Sequence, residues 1–311
     1  MSGDDLPVFH AVSPGAAAIA HLFILVLIVC GIILAIVVGM VGGGLIFFRH
    51  KPGSADPPPH FGNRRLEITW TVGPILIVVW LFALTIRGMG NSDPAANQPP
   101  DLIVIAHQWW WEVRYPQSGV VTANEIHIPV GKKLLVHLES ADVIHDFWVP
   151  ELARKIDMVP GHPNHVWLEA DKPGTYRGEC AEFCGAEHAR MRFLVIAESP
   201  AQFAAWQDEE KNPAAVPATD SARQGLKVFT EMTCVNCHSI RGVSTAASAA
   251  PDLTHLAGRE TIAADELSNT QTNLLRWLKN PQAVKPGCFM PTLKLTGAQM
   301  NNLVNYLEAL K

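Results

Sequence analysis

Two long apolar runs near the amino terminus constrain this 311-residue chain more than any other feature. The first extends over residues 16–48 and contains no Asp, Glu, Lys or Arg. The second covers residues 68–86 and has Gly73-Pro74 near its start, where a proline kink is tolerated. About 20 apolar residues are enough to cross ~30 Å of hydrocarbon. The sequence therefore predicts a two-helix transmembrane hairpin within residues 1–98, with spans at about 17–48 and 67–88.

The charges beside these runs predict their orientation. The loop between them carries Arg49, Lys51, Arg64 and Arg65, so the positive-inside bias places it in the cytoplasm. Both termini, and everything after Arg87, then lie on the outer side of the membrane. We expect a multi-pass protein of the bacterial inner membrane, embedded in the lipid bilayer, with its soluble domains in the periplasm.

Each apolar run has an alternative interpretation. A cleaved signal peptide could account for the first, but Asp4 and Asp5 precede it and no Lys or Arg does, which disfavours that interpretation. A buried helix of a soluble domain could account for the second. Two runs of this length joined by a basic loop favour the membrane hairpin over both alternatives.

Residues 99–198 follow a different pattern. Short alternating or apolar runs are separated by Pro, Gly and Asn, which is typical of a small β-sandwich or barrel rather than of alternating β–α units. These runs lie at 102–106, 109–115, 133–139, 166–170 and 193–197.

One stretch of this region carries the strongest chemical signal: Cys180-Ala-Glu-Phe-Cys184-Gly-Ala-Glu-His188-Ala-Arg-Met191, with His145 well upstream. Two thiolates, two imidazoles and a thioether form a soft ligand set that suits copper. Because both cysteines lie in one loop, their thiolates can bridge two copper ions and leave one histidine for each. A closed Cys2His2 zinc site is the alternative, and Met191 counts against it because zinc has little use for a thioether.

Residues 199–220 are predicted as a linker. The segment 200–211 is expected to extend as a helix, and 212–220 is expected to be a flexible connection. Ser221 and Gln224 then predict a capping box at the start of a short helix.

The segment Cys234-Val-Asn-Cys237-His238 predicts covalent haem attachment in an exported protein. The two thiols add to the haem vinyl groups, and the histidine binds the iron on one face. A thioredoxin-like redox pair is the alternative, but it would need a β–α–β setting that is not visible here.

The sixth iron ligand is predicted to be Met290, in Gly287-Cys-Phe-Met290-Pro. Methionine ligation raises the haem potential, which suits electron donation to copper. Met300 is the alternative, but it belongs to the apolar face of a last helix capped by Thr296 and Gln299. Residues 221–311 are therefore expected to form an all-helical haem domain. Cys288 has no evident role.

The two predicted outer domains differ in charge. Residues 100–198 contain nine Lys and Arg against fourteen Asp and Glu, whereas residues 221–311 contain nine against six. Opposite net charges would suit two domains that dock on each other, although two ordinary solvated surfaces are an equally good interpretation.

The motif Cys-x-Glu-x-Cys-x3-His-x2-Met resembles the CuA site of cytochrome c oxidase subunit II. Three further segments resemble that family: Leu66-Glu67-Ile-Thr-Trp70, His107-Gln-Trp109 and His145-Asp-Phe-Trp-Val-Pro150. Residues 221–311 resemble a class I cytochrome c, so the whole chain resembles a caa-type subunit II. The resemblance implies three parts: a two-helix membrane hairpin, a cupredoxin-like β-sandwich and an all-α cytochrome c domain.

The resemblance also implies a dinuclear copper centre whose ligands are His145, Cys180, Glu182 (through its carbonyl), Cys184, His188 and Met191. In it the cysteines bridge the coppers, each histidine binds one, and the methionine and the carbonyl are weak ligands. The haem is held by Cys234, Cys237, His238 and Met290.

Three further roles follow from the resemblance. The Glu182 side chain would face subunit I, where the family holds a Mg or Mn ion. Trp109 would be the exposed aromatic through which electrons enter, and Glu67 would lie at the mouth of a proton path. From the residues themselves, a tryptophan cluster indicates core packing and a boundary glutamate indicates a solvated side chain. Where many members of the family have arginine, this chain has His162.

The function implied is that of the subunit through which electrons enter a proton-pumping haem–copper oxidase. No residue of the chain would itself reduce oxygen. The partners implied are subunit I, other oxidase subunits, and an upstream cytochrome c or quinol-oxidising complex; no nucleic acid is expected. The small subunit of a CuA-containing nitric oxide reductase is one alternative. A membrane-tethered copper carrier is another, which the haem motif disfavours. A quinol oxidase subunit is also disfavoured, because such subunits have lost the copper ligands.

Overall fold

The computed structural model describes residues 7–50, 52–53, 59, 61–92, 98–245 and 249–311. Lys51, Asp4 and Asp5, on which the membrane predictions partly depend, lie outside these residues. Residues 17–92 form one compact unit. The outer domains, together with the residues that precede position 17, form the other.

The two predicted membrane spans are helices α1 (Pro14–Phe47) and α2 (Arg64–Ser92). Both are long and apolar enough to cross a bilayer. Large side chains such as Leu34, Leu45 and Phe82 are exposed along them, as expected of helices whose solvent is lipid. The hydroxyl of Ser13 accepts a hydrogen bond from Ala16 N (3.0 Å) in the first turn of α1.

The first outer domain is a sandwich of two five-stranded sheets. Its strands are β1 (Leu102–His107), β2 (Trp110–Tyr115), β3 (Val120–Ala123), β4 (Glu125–Pro129), β5 (Leu134–Ser140), β6 (His145–Trp148), β7 (Ile156–Met158), β8 (Asn164–Leu168), β9 (Gly174–Cys180) and β10 (Arg192–Glu198). One sheet has the order β3-β2-β1-β5-β8 and the other β4-β10-β9-β6-β7. The predicted β-sandwich is confirmed, and each of the five apolar runs overlaps a strand, although the run 166–170 extends two residues beyond β8.

Inward-facing side chains of both sheets form the core of the sandwich. Trp111, Phe147 and Phe193 are almost fully buried there, and the Trp111 ring lies 4.8 Å from Phe193 and 6.0 Å from Phe147 between centroids. Trp111 is thus a core residue, in line with the packing interpretation of the tryptophan cluster. The Trp111 side chain therefore packs against β6 and β10, next to the predicted copper ligands.

Helix α3 (Pro200–Glu210) extends from the end of β10 and lies against the sandwich. Ser199 and Gln202 form a capping box at its start, and the Trp206 ring stacks on His127 at 4.1 Å. The predicted helix in this part of the linker is present.

The second outer domain contains α4 (Asp220–Glu231), α5 (Gln271–Lys279), α6 (Pro281–Val284) and α7 (Gly297–Leu307), with a short hairpin of β11 (Thr261–Ile262) and β12 (Leu267–Ser268). Helices α4 and α7 cross at Gly225, where a Cβ atom would lie 2.0 Å from Asn302 O. Only a glycine permits this approach of the two backbones. Phe229, Leu303 and Tyr306 fill the core beside the crossing.

The predicted cap of the first helix is wrong. Thr219, not Ser221, is the N-cap residue, and its hydroxyl accepts a hydrogen bond from Ala222 N at 3.1 Å. Ser221 faces α7 and donates to Asn302 Oδ1 (2.7 Å), so its hydroxyl links α4 to α7 where the two helices cross. The predicted cap of α7 by Thr296 and Gln299 is confirmed.

The predicted flexible connection is hydrogen-bonded to the second domain. Ala214 N donates to Arg241 O (3.1 Å), and Arg241 Nη1 donates to the carbonyls of Glu210 (3.1 Å) and Lys211 (2.7 Å). Asn212 O contacts His255 Nε2 at 3.0 Å. Backbone groups of this segment are therefore hydrogen-bonded to specific partners in the second domain.

Candidate copper centre, haem pocket and the contact between them

The sulfur ligands predicted for copper lie at the end of β9 and in the loop that leads to β10. Cys180 is the last residue of β9, and Cys184, His188 and Met191 follow before β10 begins. His145 opens β6, which pairs with β9 through the register Phe147–Cys180. Sheet pairing therefore brings the distant histidine to the cysteine loop, a contact that sequence spacing alone does not define.

The candidate ligand atoms form a chain of contacts. His145 Nδ1 lies 3.8 Å from Cys180 Sγ, and the two thiol sulfurs lie 3.8 Å apart. Cys184 Sγ lies 3.6 Å from His188 Nδ1 and 3.7 Å from Met191 Sδ. One histidine thus adjoins each cysteine, with the methionine on the Cys184 side. Donors that lie on both sides of a sulfur pair fit two metal ions better than one.

Backbone and side-chain hydrogen bonds orient this loop. His145 Nε2 lies 2.8 Å from Asp142 Oδ1, which leaves Nδ1 facing the cysteines. Gln108 Nε2 and Trp109 Nε1 both donate to Cys184 O, at 2.8 and 3.0 Å. Such supporting contacts fix the direction of metal ligands.

The electrostatics of the site favour an anionic sulfur next to a histidine. The hydrogen bond from Cys184, partly offset by burial, lowers the pKa of Cys180 to about 3, and the same contact raises the pKa of Cys184. Burial lowers the pKa of His145, but hydrogen bonds to Asp142 and Cys180 outweigh it, so that its pKa is raised. A thiolate is the form of cysteine that binds metals.

The set of donor atoms distinguishes between copper and zinc. His145, Cys180 and Cys184 place their ligand atoms within 4.8 Å of one another, in a buried cluster. Met191 is fully buried and its sulfur faces Cys184, whereas a structural zinc site is closed by four ligands and has no place for a thioether. The residues therefore fit copper, and the additional soft donor argues against zinc.

Exposed apolar side chains lie at the outer surface of the segment 180–191, which we call the copper loop. Ile144 (46%) and Phe183 (77%) are solvent-exposed next to the buried ligands His145 and Cys184. The Glu182 side chain is also exposed, and its carbonyl lies 3.2 Å from Cys180 Sγ. Exposed apolar side chains of this kind, here around a buried group of candidate metal ligands, are typical of a surface that another protein covers.

A cavity of about 430 Å³ in the second domain contains the predicted haem residues. It is lined by Cys234, Cys237, His238 and Met290, together with apolar side chains such as Phe229. His238 Nδ1 lies 2.7 Å from Pro251 O. Since a carbonyl only accepts, Nδ1 carries the proton and Nε2 is left to bind a metal. Burial lowers the pKa of His238, which favours this neutral form.

The positions of Met290 and Met300 favour Met290, the predicted iron ligand, over Met300, the alternative. Met290 lines the cavity that contains His238. Met300 is buried in the core of α7 with Leu303 and Leu307, as its helical spacing indicated. The apolar cavity, the two cysteines and the paired His238 and Met290 fit a covalently attached haem.

Trp109 is buried, and its predicted exposure is therefore wrong. Its side chain is 8% exposed because the Phe289 ring covers it, with 5.1 Å between ring centroids. Gln108, Trp109 and Trp110 also line the cavity of the second domain. The resemblance implied an exposed Trp109, whereas the residues themselves favoured packing; neither indicated that the second domain lies on this side chain.

The ion pairs between the outer domains have the opposite polarity to the one that the net charges of the domains predict. Arg177 and Arg192, from the more acidic domain, lie 2.7 Å from Asp265 and 3.3 Å from Glu266 of the more basic one. The carboxylate of Glu125 accepts from Glu260 N (3.1 Å) and Thr261 N (2.8 Å). Local pairing, not the overall charge difference, accounts for these contacts.

Glu67 lies in the first turn of α2. Its backbone N–H donates to Asn63 O at 2.9 Å, and its side chain is exposed.

Comparison with known proteins gives matches along the chain. Three family profiles match: "Cytochrome C oxidase subunit II, transmembrane domain" over residues 5–86, "Cytochrome C oxidase subunit II, periplasmic domain" over 117–198 and "Cytochrome c" over 222–311. A cytochrome c oxidase subunit 2 of Alkalihalophilus pseudofirmus is 38% identical, with 99% of this chain and 92% of that protein covered. A cytochrome c oxidase subunit 2 of Bacillus subtilis is 33% identical, with 85% and 80% covered. The crystal structure of the periplasmic domain of subunit II of cytochrome oxidase from Bradyrhizobium japonicum is 31% identical, covers 38% of this chain and 96% of its own, and has a TM-score of 0.36.

Proposed function

The chain belongs to the cytochrome c oxidase subunit II family, and from that premise we propose that it passes electrons from its own haem domain, through a dinuclear copper centre, to subunit I. It is the electron-accepting subunit of a haem–copper terminal oxidase, and the oxygen chemistry and proton pumping belong to the complex. The observation that carries the proposal is the contact of Phe289, next to Met290, with Trp109, which is hydrogen-bonded to the copper loop.

We assign the copper ligands to His145, Cys180, Cys184, His188, Met191 and the carbonyl of Glu182. The haem is assigned to Cys234, Cys237, His238 and Met290. When bound, these two groups supply two one-electron redox centres. Cys180, at the end of β9, and Cys184, in the loop after it, are both buried, and their fixed positions would limit rearrangement of bound copper on a change of charge. His238 keeps a neutral nitrogen free for iron through its bond to Pro251.

Trp109 connects the two centres in this assignment. Its ring meets Phe289 on one side, and its Nε1–H donates to Cys184 O on the other, at 3.0 Å. This gives a short series of bonded and packed atoms between the segment that carries Met290 and the backbone of Cys184. Because Trp109 is covered, a donor in solution would deliver electrons to the haem domain and not directly to Trp109.

We further propose that subunit I binds the exposed surface around Phe183 and Ile144. That surface includes the Glu182 side chain, which is free to contribute to a Mg or Mn site shared with subunit I. An upstream cytochrome c or quinol-oxidising complex would donate to the haem domain. In the first turn of α2, Glu67 is proposed to lie at the mouth of a proton path.

The chain is an inner-membrane protein, and we propose that both termini lie on the periplasmic side. Val12 N donates to Glu151 O (2.8 Å), and Asp171 N donates to Val12 O (2.8 Å). The Ser13 hydroxyl donates to Leu152 O at 2.6 Å. The segment before α1 is therefore joined to the copper domain, which supports placing both on one side of the membrane. We propose the following limits: 1–98 for the membrane hairpin, 99–198 for the copper domain, 199–220 for the linker and 221–311 for the haem domain.

Turnover of the purified complex tests the proposal. We expect oxygen consumption together with the near-infrared and EPR signals of a mixed-valence copper pair. Nitric oxide turnover without oxygen use would assign the chain to a reductase.

Removal of residues 221–311 should leave an oxidase that depends on added cytochrome c. Unchanged turnover with the native donor after that deletion would contradict the proposed route.

A further inference from the structure

Lys285 is a buried charged residue at the contact between the outer domains. It follows α6, five residues before Met290, and it is only 3% exposed. Its Nζ donates to the carbonyls of Trp109 (2.9 Å), Arg190 (2.8 Å) and Ala263 (3.4 Å). An ammonium group has three N–H donors and no acceptor, so three carbonyls satisfy it completely.

Burial of this ammonium is costly unless its partners are in place. Burial lowers the pKa of Lys285 to about 8, while the nearby Glu187 and Glu266 raise it. The side chain therefore keeps its charge at neutral pH. A lysine that only filled space would not need three acceptors from three separate segments of the chain.

Two of the three carbonyls belong to segments with a place in the proposed electron route, and the third belongs to a turn of the haem domain. Trp109 is the aromatic residue between the two centres, and Arg190 directly precedes Met191 of the copper loop. Ala263 begins a turn of three consecutive residues with φ between 57° and 62°, a conformation that is unfavourable for non-glycine residues. Because all three carbonyls accept from the same Nζ atom, Lys285 links this turn, Trp109 and the copper loop.

The backbone that follows Lys285 approaches the copper loop closely. Gly287 has φ +96°, and a Cβ atom there would lie 3.3 Å from Ala186 Cβ. Arg190 Nη1 donates to Val284 O at 3.2 Å. Phe289 then packs on Trp109. The segment 284–289 thus contacts both the copper loop and Trp109, and Lys285 is the buried charged residue in it.

We propose that Lys285 is a positioning residue for electron transfer between the two domains: it holds the methionine loop (residues 287–291) on Trp109 and the copper loop. The inference rests on the proposed function. Lys285 carries no electron and exchanges no proton in this role. It sets the separation of the two centres by fixing the backbone on both sides of their contact.

The test compares Lys285→Met with Lys279→Met in the full-length holoprotein. Methionine keeps much of the volume of lysine but cannot donate, and Lys279 is an exposed lysine at the end of α5, so both variants lose one charge. Two quantities are measured: the haem-to-copper electron-transfer rate after photoreduction, and the relaxation enhancement of the copper EPR signal by ferric haem. Optical and EPR spectra of each centre report whether its ligands are intact.

We expect Lys285→Met to leave both spectra unchanged, to slow transfer at least about tenfold, which corresponds to ~1.4 kcal/mol, and to reduce the relaxation enhancement. Lys279→Met should match the wild type. Equal rates and relaxation in the two variants would overturn the inference, and so would a changed haem or copper spectrum in Lys285→Met, which would indicate a structural role. If Lys285→Met does not fold, Lys285→Gln, which keeps a shorter donor, is held to the same criteria. A wild-type protein without haem-to-copper transfer would instead contradict the proposed function itself.

Discussion

At the scale of single residues, the copper site depends on soft donors that contact one another through sulfur. Met191 and Met158 are both fully buried methionines of the same core. Only Met191 has its sulfur against a cysteine, at 3.7 Å from Cys184 Sγ. Met158 instead pairs with His145 through the backbone of β7. The two residues therefore allow packing and ligation to be separated.

We predict that Met191→Leu retains copper but changes its EPR hyperfine pattern and reduction potential, because a weak ligand is lost while the thiolates and imidazoles remain. Met158→Leu should leave both unchanged. Each variant should lose less than about 1.5 kcal/mol of stability, as volume-conserving core changes do. EPR spectroscopy and redox titration of the two variants measure the effect. An unaltered copper signal in Met191→Leu would remove this residue from the ligand set.

At the scale of elements, the haem domain depends on the close crossing of α4 and α7. Gly225 faces Asn302 O and the Tyr306 side chain, and a Cβ atom would lie 2.0 and 2.6 Å from them. Gly297, at the start of α7, has open space around its Cβ position. The two glycines therefore differ in packing although both lie in helices of one domain.

We predict that Gly225→Ala forces the helices apart and destabilises the haem domain by roughly 1–3 kcal/mol, the usual cost of overpacking. Gly297→Ala should be neutral or slightly stabilising, since alanine is the better helix former. Thermal unfolding followed by the haem absorbance compares them. Equal melting temperatures for the two variants would show that the crossing tolerates a methyl group.

The sequence predicted the elements better than the contacts between them. The apolar runs, the cysteine motifs and the Thr296 cap are local patterns, and the structure contains the corresponding helices and strands. Ser221 was assigned to the wrong cap because its partner, Asn302, is distant in sequence. Trp109 was expected to be exposed for the same reason, since Phe289 covers it. No sequence signal identified Lys285, whose acceptors are backbone carbonyls and carry no side-chain pattern.

At the scale of the whole molecule, the two outer domains are joined by buried carboxylates as well as by Lys285. Burial raises the pKa of Glu125 above 4.5, although hydrogen bonds from Thr261 and Glu260 lower it in part. Burial likewise raises the pKa of Asp265. An acid with a raised pKa in the docked state binds more protons when docked. Docking should therefore strengthen as the pH falls from neutrality through the raised pKa values towards 4.5, and weaken as it rises.

We predict that Glu125→Gln reduces this pH dependence, because the amide cannot ionise. Glu209→Gln, a change at an exposed position of α3, should keep the wild-type dependence. The relaxation enhancement of the copper signal by the haem, measured from neutral to mildly acidic pH, follows docking directly. Docking that weakens on acidification while both centres keep their spectra would contradict the assigned sign.

The central claim is that one chain carries an electron from its haem domain to its copper centre without a second protein. The most direct measurement is photoreduction of the haem in the purified holoprotein, followed by the rate of copper reduction at several protein concentrations. The account predicts a first-order rate that does not change with concentration. A rate proportional to concentration, or no copper reduction at all, would show that the electron passes between molecules or along another route, and would contradict it.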